Sequence, residues 1–232
     1  MKRFPRLSPK ERLQRFWEED RGLSVLLGFI LVISFIVAPI AEQRRGGGTV
    51  LRACVSLMFA YGTWVLSARR RVRAGIVLLT AVPIVLGWLE QFRPGPTCGA
   101  LAAVSSCLFA LTLSGFVMAR VLKDGPITIH RVVGSIVVYL LIGIAFGEAA
   151  RFTAIVDPGA YTSTAFDRIE RPELYYFSLV TLTTVGYGDI TPLHPMARSL
   201  AALEALTGQL FPAILIARLV SQELMSREPR KG

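Results

Sequence analysis

Long apolar runs separated by short polar segments dominate the 232-residue chain. A helix needs roughly 20 residues to cross the hydrocarbon core of a bilayer, about 30 Å thick, and most of the runs approach that length. The predicted spans are Leu23–Ile40, Leu51–Leu66, Ala74–Leu89, Ala100–Val121, Val132–Ala149 and Ala197–Val220. The pattern therefore predicts an all-α integral membrane protein with six transmembrane helices.

A shorter, semi-polar helical stretch at Pro172–Thr183 lies between the fifth and sixth spans. It is too short to cross a bilayer, and the glycines that follow it disfavour a helical continuation. We therefore expect a re-entrant element that dips into the membrane and turns back. Ahead of the first span, residues 1–21 favour two interpretations equally. Ser8 and Glu11 match a capping box and indicate an amphipathic helix on the inner membrane surface, whereas the alternative is a loosely ordered basic tail.

Lys and Arg are distributed unevenly between the two sides of this topology. With both chain ends inside, eighteen of the 26 basic residues fall on inner segments and eight on outer segments. This excess matches the positive-inside rule. It also explains the net charge of +10 without nucleic acid, because no soluble segment is left to present a basic face. We expect a bacterial-type plasma (inner) membrane, with both ends cytoplasmic.

The segment after the short helix has the sequence TVGYGD at Thr184–Asp189. Irregular backbone at membrane depth is tolerated only where it is buried in protein or lines a wet pathway. A dehydrated potassium ion needs a ring of oxygen dipoles in place of its water, and consecutive carbonyls can supply one when they face a common axis. Gly186 and Gly188 can adopt the backbone angles that this requires. Val185 and Tyr187 would direct their side chains outward and hold the diameter of the ring.

This motif resembles the selectivity filter of the potassium channel family, and the resemblance extends over about Val132 to Val220. It implies a homotetramer or a related mixed tetramer, because one chain supplies one quarter of each ring. It implies no cofactor other than K+ ions in the filter. The implied potassium ligands are the carbonyls of Thr184, Val185, Gly186 and Tyr187 and the hydroxyl of Thr184, with Gly188 shaping the outer mouth.

The resemblance also assigns supporting roles around the filter. The residues expected to support it are Asp189, Thr183, Tyr176 and Phe177. Asp189 would brace the filter from behind, while Tyr176 and Phe177 stand where the family commonly has a tryptophan pair. Gly208 and Pro212 in the last span are candidates for a gating hinge. The alternative for Gly208 is a close helix-packing contact.

On this basis the chain divides into a four-helix transmembrane domain at 22–122, a pore domain at 123–222 and a short cytoplasmic tail at 223–232. The fourth span has no charged residue over Ala100–Ala119, whereas the voltage-sensing span of related channels carries Arg or Lys at every third position. Moving one charge through 100 mV is worth about 2.3 kcal/mol. We therefore expect little intrinsic voltage dependence.

Several charged residues outside the filter are further candidates. The cluster Arg69, Arg70, Arg71 and Arg73 could bind anionic lipid headgroups, although such clusters more often only fix orientation. Glu204 is the only acid in the last span, and we favour a buried hydrogen bond to the pore helix over a pore-lining charge. Glu148 is interpreted as a structural tie between the fifth span and the pore. For His194, an exposed turn is favoured over a pH sensor.

Other classes of function fit the sequence less well. No catalytic triad, metal set or nucleotide loop indicates an enzyme, and Cys54, Cys98 and Cys107 form no metal spacing. A secondary transporter would be expected to have two related halves, whereas this chain has one broken segment. The more serious alternative is a non-conducting regulatory or sensor subunit that retains the pore fold, because fold alone does not fix function.

Overall fold

A computed structural model describes residues 22–42, 46–66, 73–122 and 129–227. The predicted interfacial helix within residues 1–21 therefore lies outside the described residues. The same holds for Arg69, Arg70 and Arg71 of the basic cluster, and for residues 228–232 of the predicted tail.

Seven helices and two short strands make up the described part of the chain. The helices are α1 at Gly22–Ala41, α2 at Gly47–Leu66, α3 at Arg73–Phe92, α4 at Pro96–Val121, α5 at Ile129–Val156, α6 at Arg171–Leu182 and α7 at Pro195–Arg227. Each of the six predicted spans coincides with one of the long helices. The predicted short helix between the last two spans is confirmed as α6, one residue displaced from its expected bounds.

Four helices among the described residues are long and apolar enough to cross a membrane. These segments are Gly22–Ala41, Pro96–Val121, Arg131–Val156 and Pro195–Arg218. The Val77–Phe92 part of α3 is a shorter apolar helix. The second and third predicted spans thus form helices, α2 and α3, but these are not among the four that are long and apolar enough. The count of six spans therefore stays a prediction.

The main apolar core lies between α1, α2, α4 and α5. Leu26, Phe59, Phe109 and Val137, one from each of these helices, belong to the same buried cluster. The rings of Phe59 and Phe109 have their centroids 4.4 Å apart. Helix α5 also contacts α6 and α7, so it connects the first helices to the segment that carries the filter motif.

Two glycines on α5 allow α6 to approach closely. Gly143 and Gly147 are four residues apart and therefore lie on one face of the helix, which is the small-residue spacing typical of tight helix contacts in membranes. A Cβ atom on Gly147 would lie 2.8 Å from Cδ1 of Tyr175 on α6. The packing of α6 against α5 therefore depends on the missing side chain.

A small antiparallel sheet lies beyond the ends of the helices, where the sequence predicted no strand. Strand β1 at Tyr161–Ser163 pairs with β2 at Ile190–Pro192, with Thr162 opposite Thr191. Strand β2 directly follows the filter motif. The sheet therefore fixes the residues that follow the TVGYGD motif to the loop between α5 and α6.

Substitution of Gly147 by alanine should destabilise the protein. The new methyl group would force the Tyr175 ring to move, and overpacking of this kind typically costs about 1–3 kcal/mol. Thermal unfolding in detergent measures the effect. Gly115→Ala is the matched control, since no atom lies within 4 Å of its Cβ position and alanine favours the helix. Equal unfolding temperatures for the two variants would contradict the tight contact.

Candidate functional site

Helix α6 has well-defined ends, which fix where the filter segment begins. At its start, Glu170 and Glu173 form a reciprocal capping box, and a proline occupies the first turn. At its end, Thr183 caps the helix, and its backbone N–H donates to the carbonyl of Leu179. The chain then leaves the helix directly into the TVGYGD motif.

The first amides of the motif donate back to the last turn of α6. The N–H of Thr184 bonds to the Thr181 carbonyl at 2.9 Å. The N–H groups of Val185 and Gly186 both bond to the carbonyl of Val180, at 3.0 and 3.3 Å. These carbonyls at the helix end, which would otherwise be orphans, are thereby used, and the irregular backbone that follows keeps these polar groups paired.

These bonds decide which way the carbonyls of the motif face. In a trans peptide, the C=O of one residue points opposite to the N–H of the next, and no described peptide bond is cis. Three successive N–H groups face α6. The carbonyls of Thr183, Thr184 and Val185 must therefore point away from α6, to one common side.

Backbone dihedral angles alternate along the same residues. The φ angle is positive at Thr184 (58°), Gly186 (56°) and Gly188 (79°), and at neither of the two residues between them. Glycine adopts such angles without a steric penalty. A β-branched residue such as Thr184 adopts them only with steric strain. Strain of this kind costs about 1–3 kcal/mol where the surrounding structure enforces it. Strain at Thr184 is typical of a functional site.

Helix α7 supports the inner end of the motif. Nε2 of Gln209 donates to the hydroxyl oxygen of Thr184 at 2.9 Å. Gly208 lies so close to the backbone of Leu182 that a Cβ atom would collide with its carbonyl oxygen. This is the close packing contact that was the alternative for Gly208. The helix continues through Gly208 and Pro212, and their role as a gating hinge stays a prediction.

Asp189 holds the outer end of the motif through both its side chain and its backbone. Its carboxylate accepts hydrogen bonds from the Tyr176 hydroxyl at 2.7 Å and from the Ile190 N–H at 3.1 Å. Its carbonyl accepts from the Ser163 hydroxyl and the Thr164 N–H, at 2.9 and 3.0 Å. The bond to the Asp189 carboxylate raises the pKa of the Tyr176 phenol, which therefore remains a donor at neutral pH.

The other residues expected to support the filter have different surroundings. Phe177 is buried and packs edge-to-face on Tyr161 of β1, with ring centroids 5.4 Å apart, so it contacts the sheet. The Thr183 hydroxyl donates to the Leu179 carbonyl at 2.7 Å and contributes to the end of the helix. Val185 and Tyr187 are exposed on the single chain, 54% and 71% respectively.

A buried carboxylate ties α5 to the start of α6. Glu148 is only 1% exposed and receives bonds from Arg151 at 3.1 Å, from Arg171 at 2.6 Å and from the hydroxyl of Tyr175. Burial raises the pKa of the Tyr175 phenol, so it keeps its proton. With two guanidinium groups and a hydroxyl around it, the carboxylate is fully compensated. The structural tie expected for Glu148 is present.

The ion pairs around Glu148 continue to the earlier helices α2 and α3. Arg151 also pairs with Glu90 on α3, and Glu90 pairs with Arg52 on α2 at 3.4 Å. Beside this chain of charges lies a cavity of about 470 Å³, to which Arg52, Arg151 and Arg171 all contribute. The ion pairs therefore connect α2 and α3 to α6.

Two other candidate residues lie away from the motif. Glu204 on α7 is 1% exposed, and its Oε1 lies 2.5 Å from Oγ of Ser178 on α6, which is the predicted bond to the short helix. His194 is in the turn before α7, with its side chain 45% exposed and 3.9 Å from Asp157.

Sequence reasoning missed several residues that hold the site. Ser163 lies in a loop without a recognisable pattern, and only its position across from Asp189 gives it a role. Arg151 and Glu90 are 61 positions apart, and no short-range spacing links them. The signal that could have found Arg151 and Glu90 is their position near the ends of apolar runs, because charged groups there need partners.

Comparisons with known proteins show what this part of the chain is similar to. Residues 127–223 match the family model described as an ion channel. The matched region contains all of α5, both strands, α6, the TVGYGD motif and most of α7. Residues 127–223 are therefore an ion channel domain, and together with the apolar helices they make the chain an integral membrane protein.

Potassium channels are among the proteins to which the chain is similar. The chain is 38% identical over 90 residues to the two pore potassium channel c of Oryza sativa subsp. japonica, covering 39% of this chain and 18% of that protein. It is 33% identical over 92 residues to the potassium voltage-gated channel subfamily A member 10 of Mus musculus, covering 39% and 17%. The chain thus spans less than a fifth of the length of these curated relatives. No solved structure matches it significantly.

Substitution of Glu148 by glutamine should destabilise the protein strongly. The change leaves Arg151 and Arg171 without their shared carboxylate, and breaking a buried ion pair costs about 3–5 kcal/mol. Denaturant or thermal unfolding in detergent measures this loss. Asp167→Asn makes the same change in charge at an exposed residue and should alter stability by no more than about 0.5 kcal/mol. A Glu148→Gln protein as stable as this control would show that the cluster contributes little.

Proposed function

We propose that the chain is one subunit of a potassium-selective channel that conducts K+ passively through a tetrameric pore. The observation that carries the proposal is the set of three amides bonded to the end of α6, which turns the carbonyls of Thr183, Thr184 and Val185 to one side. The ion channel domain and its similarity to potassium channels support the same conclusion.

In the proposed mechanism, backbone oxygens replace the water around the ion. The carbonyls of Thr184, Val185, Gly186 and Tyr187, together with the Thr184 hydroxyl, coordinate K+. Gly188 shapes the outer mouth. The alternation of φ supports this assignment, because each change of hand reorients the next peptide plane and lets neighbouring carbonyls face one axis.

We propose a homotetramer, because one chain supplies only one side of the ring. The exposed side chains of Val185 and Tyr187 support this, since large apolar and aromatic groups beside a functional site indicate a surface that another subunit covers. Four copies around an axis enclose the carbonyls and leave the N–H groups facing the protein.

The membrane arrangement is part of the proposal. Six spans with both ends cytoplasmic place α6 as a re-entrant helix entering from the outer side, and the distribution of Lys and Arg supports this orientation. A bacterial-type inner membrane fits the same distribution. We also propose that the basic cluster of Arg69, Arg70, Arg71 and Arg73 binds anionic lipid headgroups of the inner leaflet.

Potassium flux through the purified protein in liposomes tests the function directly. We expect flux that is selective for K+ over Na+ and blocked by Ba2+. Gly186→Ala should abolish selective flux, because alanine is strained at the φ of 56° found at this position. Gly115→Ala makes the same chemical change at an open position on α4 and should conduct normally.

Silence of a verified tetramer under all conditions would overturn the channel proposal and favour a non-conducting regulatory subunit. Flux that does not distinguish K+ from Na+ would overturn the filter assignment alone. Uptake against a gradient would instead indicate a transporter.

We also expect weak voltage dependence. No charged residue lies between Pro96 and Ala119 on α4, so this stretch of the helix has no charge to move through the field, and Arg120 is confined to its last turn. One gating charge per subunit would be worth about 2.3 kcal/mol per 100 mV. Currents in planar bilayers should therefore show an open probability that changes little between negative and positive voltages. A steep change would show that charges elsewhere, such as the Arg52–Glu90 pair, move with voltage.

A further inference from the structure

Two buried glutamates near α6 have opposite surroundings. Glu148 and Glu204 are each 1% exposed. Glu148 has two arginines and a tyrosine as donors, whereas the hydrogen-bond partner found for Glu204 among the described residues is the hydroxyl of Ser178. An ionised carboxylate is very unfavourable in a buried site unless cations or several donors compensate it. The protonation state of Glu204 therefore needs a separate argument.

The number of hydrogens available for the two contacts of the Ser178 oxygen decides the protonation state of Glu204. The Ser178 oxygen lies 2.5 Å from Oε1 of Glu204 and 2.7 Å from the carbonyl oxygen of Gly143 on α5. Both distances are hydrogen-bond distances between oxygens, so each contact needs its own hydrogen. The serine hydroxyl has one hydrogen to donate, and the carbonyl of Gly143 can only accept.

An ionised Glu204 could only accept as well, and three oxygens would then share a single proton. One of the two short contacts would have no hydrogen. A neutral Glu204 resolves the shortage, because its O–H donates to Ser178 and the Ser178 hydroxyl donates to Gly143. The geometry is complete only with the additional proton.

The surroundings of Glu204 agree with a neutral acid. The titratable groups within its electrostatic reach are the phenols of Tyr139 on α5 and Tyr161 on β1, which are uncharged at neutral pH. Ser178 is its neighbour on α6, and no ion pair joins Glu204 to a basic side chain among the residues the structure describes. The site offers no charge that would keep a carboxylate ionised.

We propose that Glu204 is a positioning residue that keeps its proton at neutral pH and, as the neutral acid, links α7 through Ser178 to α5. Ser178 is two residues before Val180, whose carbonyl receives the N–H groups of Val185 and Gly186. The linkage thus fixes the turn of α6 from which the filter amides are held. Its effect on potassium flux rests on the proposed function, but the protonation itself does not.

Infrared difference spectroscopy of the full-length protein tests the proton directly. The wild-type protein at neutral pH should show the stretching band of a protonated carboxyl group, and Glu204→Gln should lack it. Asp167→Asn, at an exposed carboxylate, should retain it. Absence of this band from the wild-type protein, or its persistence in Glu204→Gln, would overturn the proposal.

Stability provides a second and independent readout. Glutamine reproduces the neutral acid, because its amide can donate to Ser178, so Glu204→Gln should assemble and unfold at the wild-type temperature. Glu204→Ala and Ser178→Ala should each unfold roughly 4 °C or more below it. At alkaline pH the wild-type protein should lose stability while Glu204→Gln does not. A Glu204→Gln protein that fails to assemble, or is as unstable as Glu204→Ala, would overturn the proposal.

Flux measurements separate this inference from the proposed function. If the protein conducts K+, wild-type flux should fall with the stability at alkaline pH and Glu204→Gln flux should not. A wild-type protein that has the carboxyl band but no flux would sink the channel proposal and leave the protonated Glu204 in place. Normal potassium flux without the carboxyl band would overturn the protonated Glu204 and leave the channel proposal in place.

Discussion

The structure depends on one requirement: backbone that leaves a helix inside the protein must still have its polar groups paired. Helix α6 ends within the protein, and its last carbonyls would otherwise be orphans. The amides of Thr184, Val185 and Gly186 satisfy them. The same bonds orient the carbonyls of the motif, so one set of hydrogen bonds both pairs the end of the helix and shapes the proposed filter. The Gly147 contact, the Asp189 bonds and the position of α7 all serve to hold α6 in place for it.

Different kinds of interaction hold the two ends of helix α6. Its start is held electrostatically, by Glu148 and the arginines that continue through Glu90 to Arg52. Its end is held by neutral contacts, with Gly208 against Leu182 and Ser178 between α5 and α7. The ion pairs reach α2 and α3, so the first helices have a direct physical connection to the start of α6.

Local patterns in the sequence were sufficient for the helices and for the motif. Apolar runs predicted all six long helices, and the glycines after Pro172–Thr183 predicted where the short helix ends. The support of the motif was harder to predict, because it joins distant positions. Asp189 meets Ser163 only once β1 and β2 pair. Tyr176 and Phe177 are neighbours in the sequence, but Tyr176 reaches Asp189 while Phe177 packs on the sheet. Side-chain identity alone does not separate these two roles.

The shared acceptor at Val180 has a consequence for how this site is studied. Its carbonyl receives two filter amides, but the contribution comes from the peptide backbone and not from the valine side chain. Scanning by side-chain replacement would therefore pass over position 180 as tolerant, although two of the three bonds that orient the motif end there. Replacing a single backbone amide by an ester, which removes one N–H and weakens one carbonyl, would reveal a dependence that ordinary mutagenesis does not detect.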